Sequence, residues 1–200
     1  MLYKRYKGIL EEALSSKYPV KETKPSDPFY MPYPGIKSFN FTTEEGYTYL
    51  ILHSKNPVFT SEYYNDYYSE ALNRKVNLYS LDFVRLVDAT KPFSMDNAIQ
   101  TISASRNFMK VFATVIDQAL SFYSGAKIDL LTIGSKNDEP GRASLYKILA
   151  NKFATKGDGT YIGKKEVSVM GNEVTQHIVL KNNLIGKKEE IIEEFDIDST

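Results

Sequence analysis

Among the side chains that could do chemistry, Arg142 is the best suited by type to hold a phosphate or a carboxylate, because a planar guanidinium offers paired donors. Its place in the first turn of an expected helix also suits a surface pairing with Asp138 or Glu139. His53 and His177 are the only imidazoles. Each falls in a strand pattern, where it can act as a base or be a packed strand residue. Asp129, Asp138, Glu139 and Asp158 carry the charge for metal or acid–base work. No two of them stand at a diagnostic spacing, so a solvated surface is expected and no metal site. Tyr63, Tyr64, Tyr67 and Tyr68 could stack bases or sugars. Glu62, Asp66 and Glu70 beside them would repel phosphate, which turns the reading toward a protein contact or core packing.

Composition narrows the field. The 25 basic and 25 acidic residues cancel, which removes the argument from a strongly basic surface and speaks against nucleic acid as a partner. The absence of cysteine excludes disulfides, thiolate nucleophiles and cysteine–zinc sites. No run of about 18 apolar residues and no signal peptide occurs, so no membrane is expected. The expected setting is a cytoplasm, the producing cell's own or a host's. Fifteen tyrosines and eleven phenylalanines without tryptophan make an unusual aromatic set.

The elements that must position these residues follow from periodicity. Residues 1–18 are expected to form an amphipathic helix. Residues 19–35 contain five prolines and form an irregular connector, pinned to the surface by Phe29, Tyr30, Met31 and Tyr33. A hairpin of 38–42 and 47–54 turns at Gly46. A helix is expected over 59–73 and a strand over 76–87. Phe108, Val111, Phe112, Val115, Ile116, Ala119 and Tyr123 mark a long helix with Ser105 as cap and Gly125 as terminator. Residues 128–134 read as a strand covered on both faces, residues 141–153 as a helix, and 160–169 with 173–182 as a hairpin. The fold class is α+β: a mixed, mostly antiparallel sheet with helices on its faces. The single α+β domain is expected over 36–186. Residues 187–200 form an acidic tail whose Ile191, Ile192 and Phe195 dock on a neighbour or fray.

The order meander, long helix, strand, Asn-bearing turn, Leu-Tyr helix, strand, strand resembles the C-terminal half of the GNAT acyltransferase superfamily, so the fold is read as GNAT-like. The residues that carry the likeness are Asn137, Arg142, Leu145, Tyr146 and Phe153. The resemblance implies acyl coenzyme A as cofactor. It also implies Tyr146 as the general acid for the departing thiolate, with Arg106, Asn107, Asn137 and Arg142 toward the cofactor. That family cradles pyrophosphate on a glycine-rich loop before the long helix; residues 101–107 here, TISASRN, contain no glycine. The chain also resembles a set of uncharacterised tailed-bacteriophage proteins. The shared features are the helix VFATV at 111–115, Arg142 with Leu145-Tyr146, and the hairpin Gly46-Tyr47-Thr48-Tyr49.

The expected function is a non-catalytic structural or protein-interaction component of a tailed phage on a GNAT-like scaffold, in the host cytoplasm or the virion. It needs no cofactor, and its partners are virion proteins or copies of itself. Tyr63, Tyr64, Tyr67, Ile191, Ile192 and Phe195 are the expected contact residues. The alternatives are an acyl-CoA-dependent N-acyltransferase with Tyr146 as acid, and a phage inhibitor of a host enzyme.

Overall fold

Residues 16–55, 68–94, 96–99, 107–124, 127–136, 146–148, 150–152, 154–155, 158–169 and 172–199 are described by a computed structural model. Their strands are β1 (Lys21–Glu22), β2 (Ile36–Thr42), β3 (Thr48–Lys55), β4 (Tyr68–Ser69), β5 (Arg74–Lys75), β6 (Leu78–Leu86), β7 (Ala98–Ile99), β8 (Leu130–Lys136), β9 (Gly159–Val169) and β10 (Asn172–Lys181). Helix α1 is Phe108–Ser124, a 3₁₀ turn covers Asn182–Lys187, and α2 is Lys188–Glu194. The sheet runs β1-β2-β3-β6-β8-β10-β9, with β7 beside β6 and a separate β4–β5 pair. Its pairing is antiparallel at β1–β2, β6–β7, β8–β10 and β9–β10 and parallel at β6–β8, so the chain is an α+β protein with a mixed, mostly antiparallel sheet. Among the described residues no helix is long and apolar enough to cross a membrane.

The chain divides into two compact units, one drawn from Met1–Leu52 and Phe83–Ala119, the other from His53–Asp82 and Leu120–Thr200. In the first unit, β2 turns into β3 as the Gly46 pattern requires: Gly46 has φ of 84° and donates to the Thr43 carbonyl at 3.0 Å. The proline segment stays irregular apart from the two residues of β1, and Phe29 and Met31 are buried as anchors while Tyr33 is exposed. Phe29, Leu50, Val84 and Leu86 form one apolar cluster. Tyr18, Phe41 and Tyr49 form a stack with centroids 5.5 and 5.3 Å apart. The Tyr18 hydroxyl donates to Glu44, which Lys110 also engages. These two donors hold the Glu44 carboxyl down at about 2, and burial followed by the Glu44 contact pushes the Tyr18 phenol up. The stripe on α1 is buried from Val111 to Ala119, while Phe108 at its start stays exposed.

In the second unit, β8 lies between β6 and β10, and the consecutive Leu130, Leu131, Thr132 and Ile133 of its short apolar run are all buried, so both of its faces are covered. The chain beyond β10 turns back at once. Ile191, Phe195 and Ile197 enter a cluster with Val76, Leu78, Leu130, Ile162, Ile178 and Leu180. The last residues bridge the outer edge of β9, with backbone hydrogen bonds of 2.9 and 2.8 Å between Lys164 and Asp198. Gly163 permits this approach, because a Cβ there would stand 2.3 Å from the Asp198 carbonyl oxygen. The acidic segment 187–200 therefore completes a core and covers a sheet edge. The helix expected over 59–73 ends differently: its described residues form β4 and the turn that leads into β5, with Asn73 in the left-handed region at φ of 49°. Its earlier residues, residues 1–15 of the helix expected over 1–18, Ser105 and Gly125 lie outside the described residues, and residues 16–18 of that expected helix are not helical.

Candidate interaction site

The β4–β5 hairpin is two residues a side, with Tyr68 opposite Lys75 and Ser69 opposite Arg74. A pair so short has little stability of its own, and two carboxylates hold it from different sides. Glu194, the last residue of α2, accepts the Ser69 hydroxyl at 2.6 Å, the Glu70 N–H at 2.8 Å and the Ala71 N–H at 3.3 Å. Ser69 in turn accepts the Leu72 N–H at 3.1 Å. These bonds satisfy the turn's donors as a cap satisfies a helix start, and they favour the hairpin over continued helix.

On the other side Arg74 pairs bidentately with Asp129, at 2.7 and 2.6 Å. Asp129 also accepts the Asn77 N–H at 2.8 Å, while its own N–H donates to the Asn77 carbonyl at 2.9 Å. Burial opposes ionisation of Asp129, but the Arg74 and Asn77 donors outweigh it and hold the carboxyl below its usual range. The same pair raises the Arg74 guanidinium. The result is a hairpin held by both carboxylates on which Tyr68 is 53 % exposed, its hydroxyl donating to the Asn73 side chain. Beside it opens a groove of about 470 Å³ lined by Arg74, Asn77, Lys127, Ile128, Asp129, Lys181 and Asn183.

The residues singled out from sequence fall in several places. Tyr68 is displayed, whereas Tyr63, Tyr64 and Tyr67 lie outside the described residues, as do Arg106, Asn137 and Arg142. Tyr146 is 3 % exposed, so its ring is packed and not presented to solvent. Asn107 is exposed, and its carbonyl accepts the Lys110 and Val111 N–H groups at the start of α1. Ile191 and Phe195 are buried and Ile192 packs on the same cluster: the expected outward contact is made inward, because β9 and β10 leave an apolar face that this segment covers. His53 is fully buried, stacked 4.1 Å from Phe122 with Nδ1 3.3 Å from the Tyr123 hydroxyl; His177 is buried with Nδ1 3.2 Å from the Tyr161 hydroxyl. Asp129 is a buried ion-pair member, not a solvated carboxylate. Its signal was available, since a lone Asp heading an apolar strand needs a partner. Arg74 and Glu194 gave no such signal, because their partners lie 55 and 123 to 125 residues away.

Comparison of the chain with family models, curated proteins and solved structures finds no match. Among the described residues no group of three or more His, Cys, Asp or Glu is placed to hold a metal ion.

Proposed function

We propose that this chain is a non-catalytic protein-interaction component whose contact surface is centred on the β4–β5 hairpin. The tailed-phage setting enters this reading through the sequence resemblance alone. The observation that carries the proposal is Tyr68, 53 % exposed on a hairpin clamped by Glu194 and Asp129. Tyrosine and arginine are the residues that interfaces favour, since they bring large contact area with a polar tip. A hairpin already held by these bonds also has less conformational entropy to lose on binding.

Affinity capture with the full chain tests this, comparing wild type, Tyr68→Ala and the control Lys21→Ala in the first unit, with sedimentation velocity to detect self-association. Wild type and control are expected to retain the same protein, or to self-associate to the same extent, while Tyr68→Ala weakens the contact. A monomer that retains nothing, or retention that Tyr68→Ala leaves unchanged, overturns the proposal.

A further inference from the structure

The three cations of the groove beside the hairpin are unequally occupied. Arg74 is committed to Asp129. Lys181 Nζ lies 3.8 Å from Asp158. Lys127 is exposed and has no charged partner among the described residues. Among the described residues one positive charge therefore stays uncompensated, in a groove also lined by Asn183 and by Asn77, whose amide Nδ2 lies 3.5 Å from Asp129 and keeps a second N–H. Arg74 spends Nη1 on Asp129 and the Lys75 carbonyl and one Nη2 proton on Asp129, which leaves Nε–H and a second Nη2 proton among its five donors.

From this geometry we propose that the groove takes a single carboxylate side chain of a partner polypeptide, with Lys127 supplying the opposing charge and the amides and remaining guanidinium protons supplying donors. The inference rests on the interaction reading above and names the chemistry of the partner. A nucleic acid would present a run of phosphates and needs several free cations to displace its counterions; among the described residues of this groove one is free, and Asp129 and Asp158 stand nearby. The groove's volume of about 470 Å³ is larger than a lone anion needs and suits a side chain with its flanking backbone.

The test is an amide NMR titration of the full chain with three probes: a capped tripeptide with central Glu, the same peptide with central Gln, and inorganic phosphate. The Glu peptide is expected to shift the amides of Arg74, Asn77, Lys127, Lys181 and Asn183 saturably. The Gln peptide should bind roughly tenfold or more weakly, the loss expected for a charge-assisted hydrogen bond. Lys127→Glu should abolish the response and Lys127→Arg should keep it. Equal binding of the Gln peptide, or a response to phosphate alone, overturns the assignment. If both peptides fail while Tyr68→Ala still abolishes partner retention, the carboxylate assignment falls and the interaction reading stands.

Discussion

Glu194 accepts a 2.6 Å hydrogen bond from the Ser69 hydroxyl across 125 residues of chain, joining the end of α2 to the turn of the β4–β5 hairpin. Replacing Glu194 by Ala removes this acceptor together with those for the Glu70 and Ala71 N–H groups. We expect a loss of about 1–2 kcal/mol, the usual cost of a lost cap, with Glu194→Gln milder because it keeps one acceptor oxygen. Urea denaturation measures the loss. Hydrogen exchange should speed up first at Glu70 and Ala71; uniform exchange across the second unit would instead mean that the carboxylate acts on the whole core.

Asp129 should be less replaceable than an ordinary surface carboxylate. Asp129→Asn removes the charge that Arg74 pairs with, and about 1.5–3 kcal/mol is expected to go with it. Arg74→Lys keeps the charge and loses the bidentate geometry, so a smaller loss is expected. Since the folded-state carboxyl is held below its ordinary value, its contribution is present above the unfolded pKa and disappears as pH falls through the lower folded one. Acid titration of unfolding should show this component in wild type and lack it in Asp129→Asn.

Asp82 behaves in the opposite sense. Burial pushes its carboxyl up to about 6, and the Ser80 hydroxyl, 3.3 Å away, pulls the other way. The folded chain therefore binds this proton more tightly than the unfolded chain does. Stability from this group is fully present below the unfolded value near 4 and is lost as pH rises through about 6. A shift of this size corresponds to at most about 3 kcal/mol. Because Asp82 is only half-buried, a smaller change is expected. Asp82→Asn should flatten the stability profile between pH 4 and 6, and an unchanged slope there would refute the assignment.

Gly163→Ala tests the docking of the C-terminal segment. A Cβ at this position meets the Asp198 carbonyl oxygen at 2.3 Å and Ile197 Cγ2 at 2.7 Å, and the backbone φ of 145° disfavours any side chain. Displacing the segment costs the Lys164–Asp198 bridge and disturbs Ile197, so a loss of about 2 kcal/mol or more is expected. Thermal unfolding measures it, and limited proteolysis should cut the variant near its C-terminus first.

The elements read most accurately from sequence are those whose signal is local. Gly46 marks a turn because only glycine takes that φ at no cost, and the helix α1 and hairpin β9–β10 follow from periods of 3.6 and 2. The run at 128–134 is buried on both faces, as a continuous apolar stretch predicts. Residues 68–73 misled because helical spacing of Tyr68 and Leu72 was met by a distant carboxylate that stabilises a turn in its place. The acidic segment misled because charge density hides the three apolar residues that decide where it goes.

The sequence by itself thus determined the α+β class, most strands and the long helix, since propensity, periodicity and turn chemistry act over a few residues. Only the tertiary structure decided that Ile191 and Phe195 turn inward, that Asp129 is a buried partner of Arg74, and that Tyr68 stands on a clamped hairpin beside a groove with Lys127 at its edge. The reason is physical: burial and ion pairing depend on which distant residues meet, and a pairing between residues 69 and 194 leaves no mark in the neighbourhood of either.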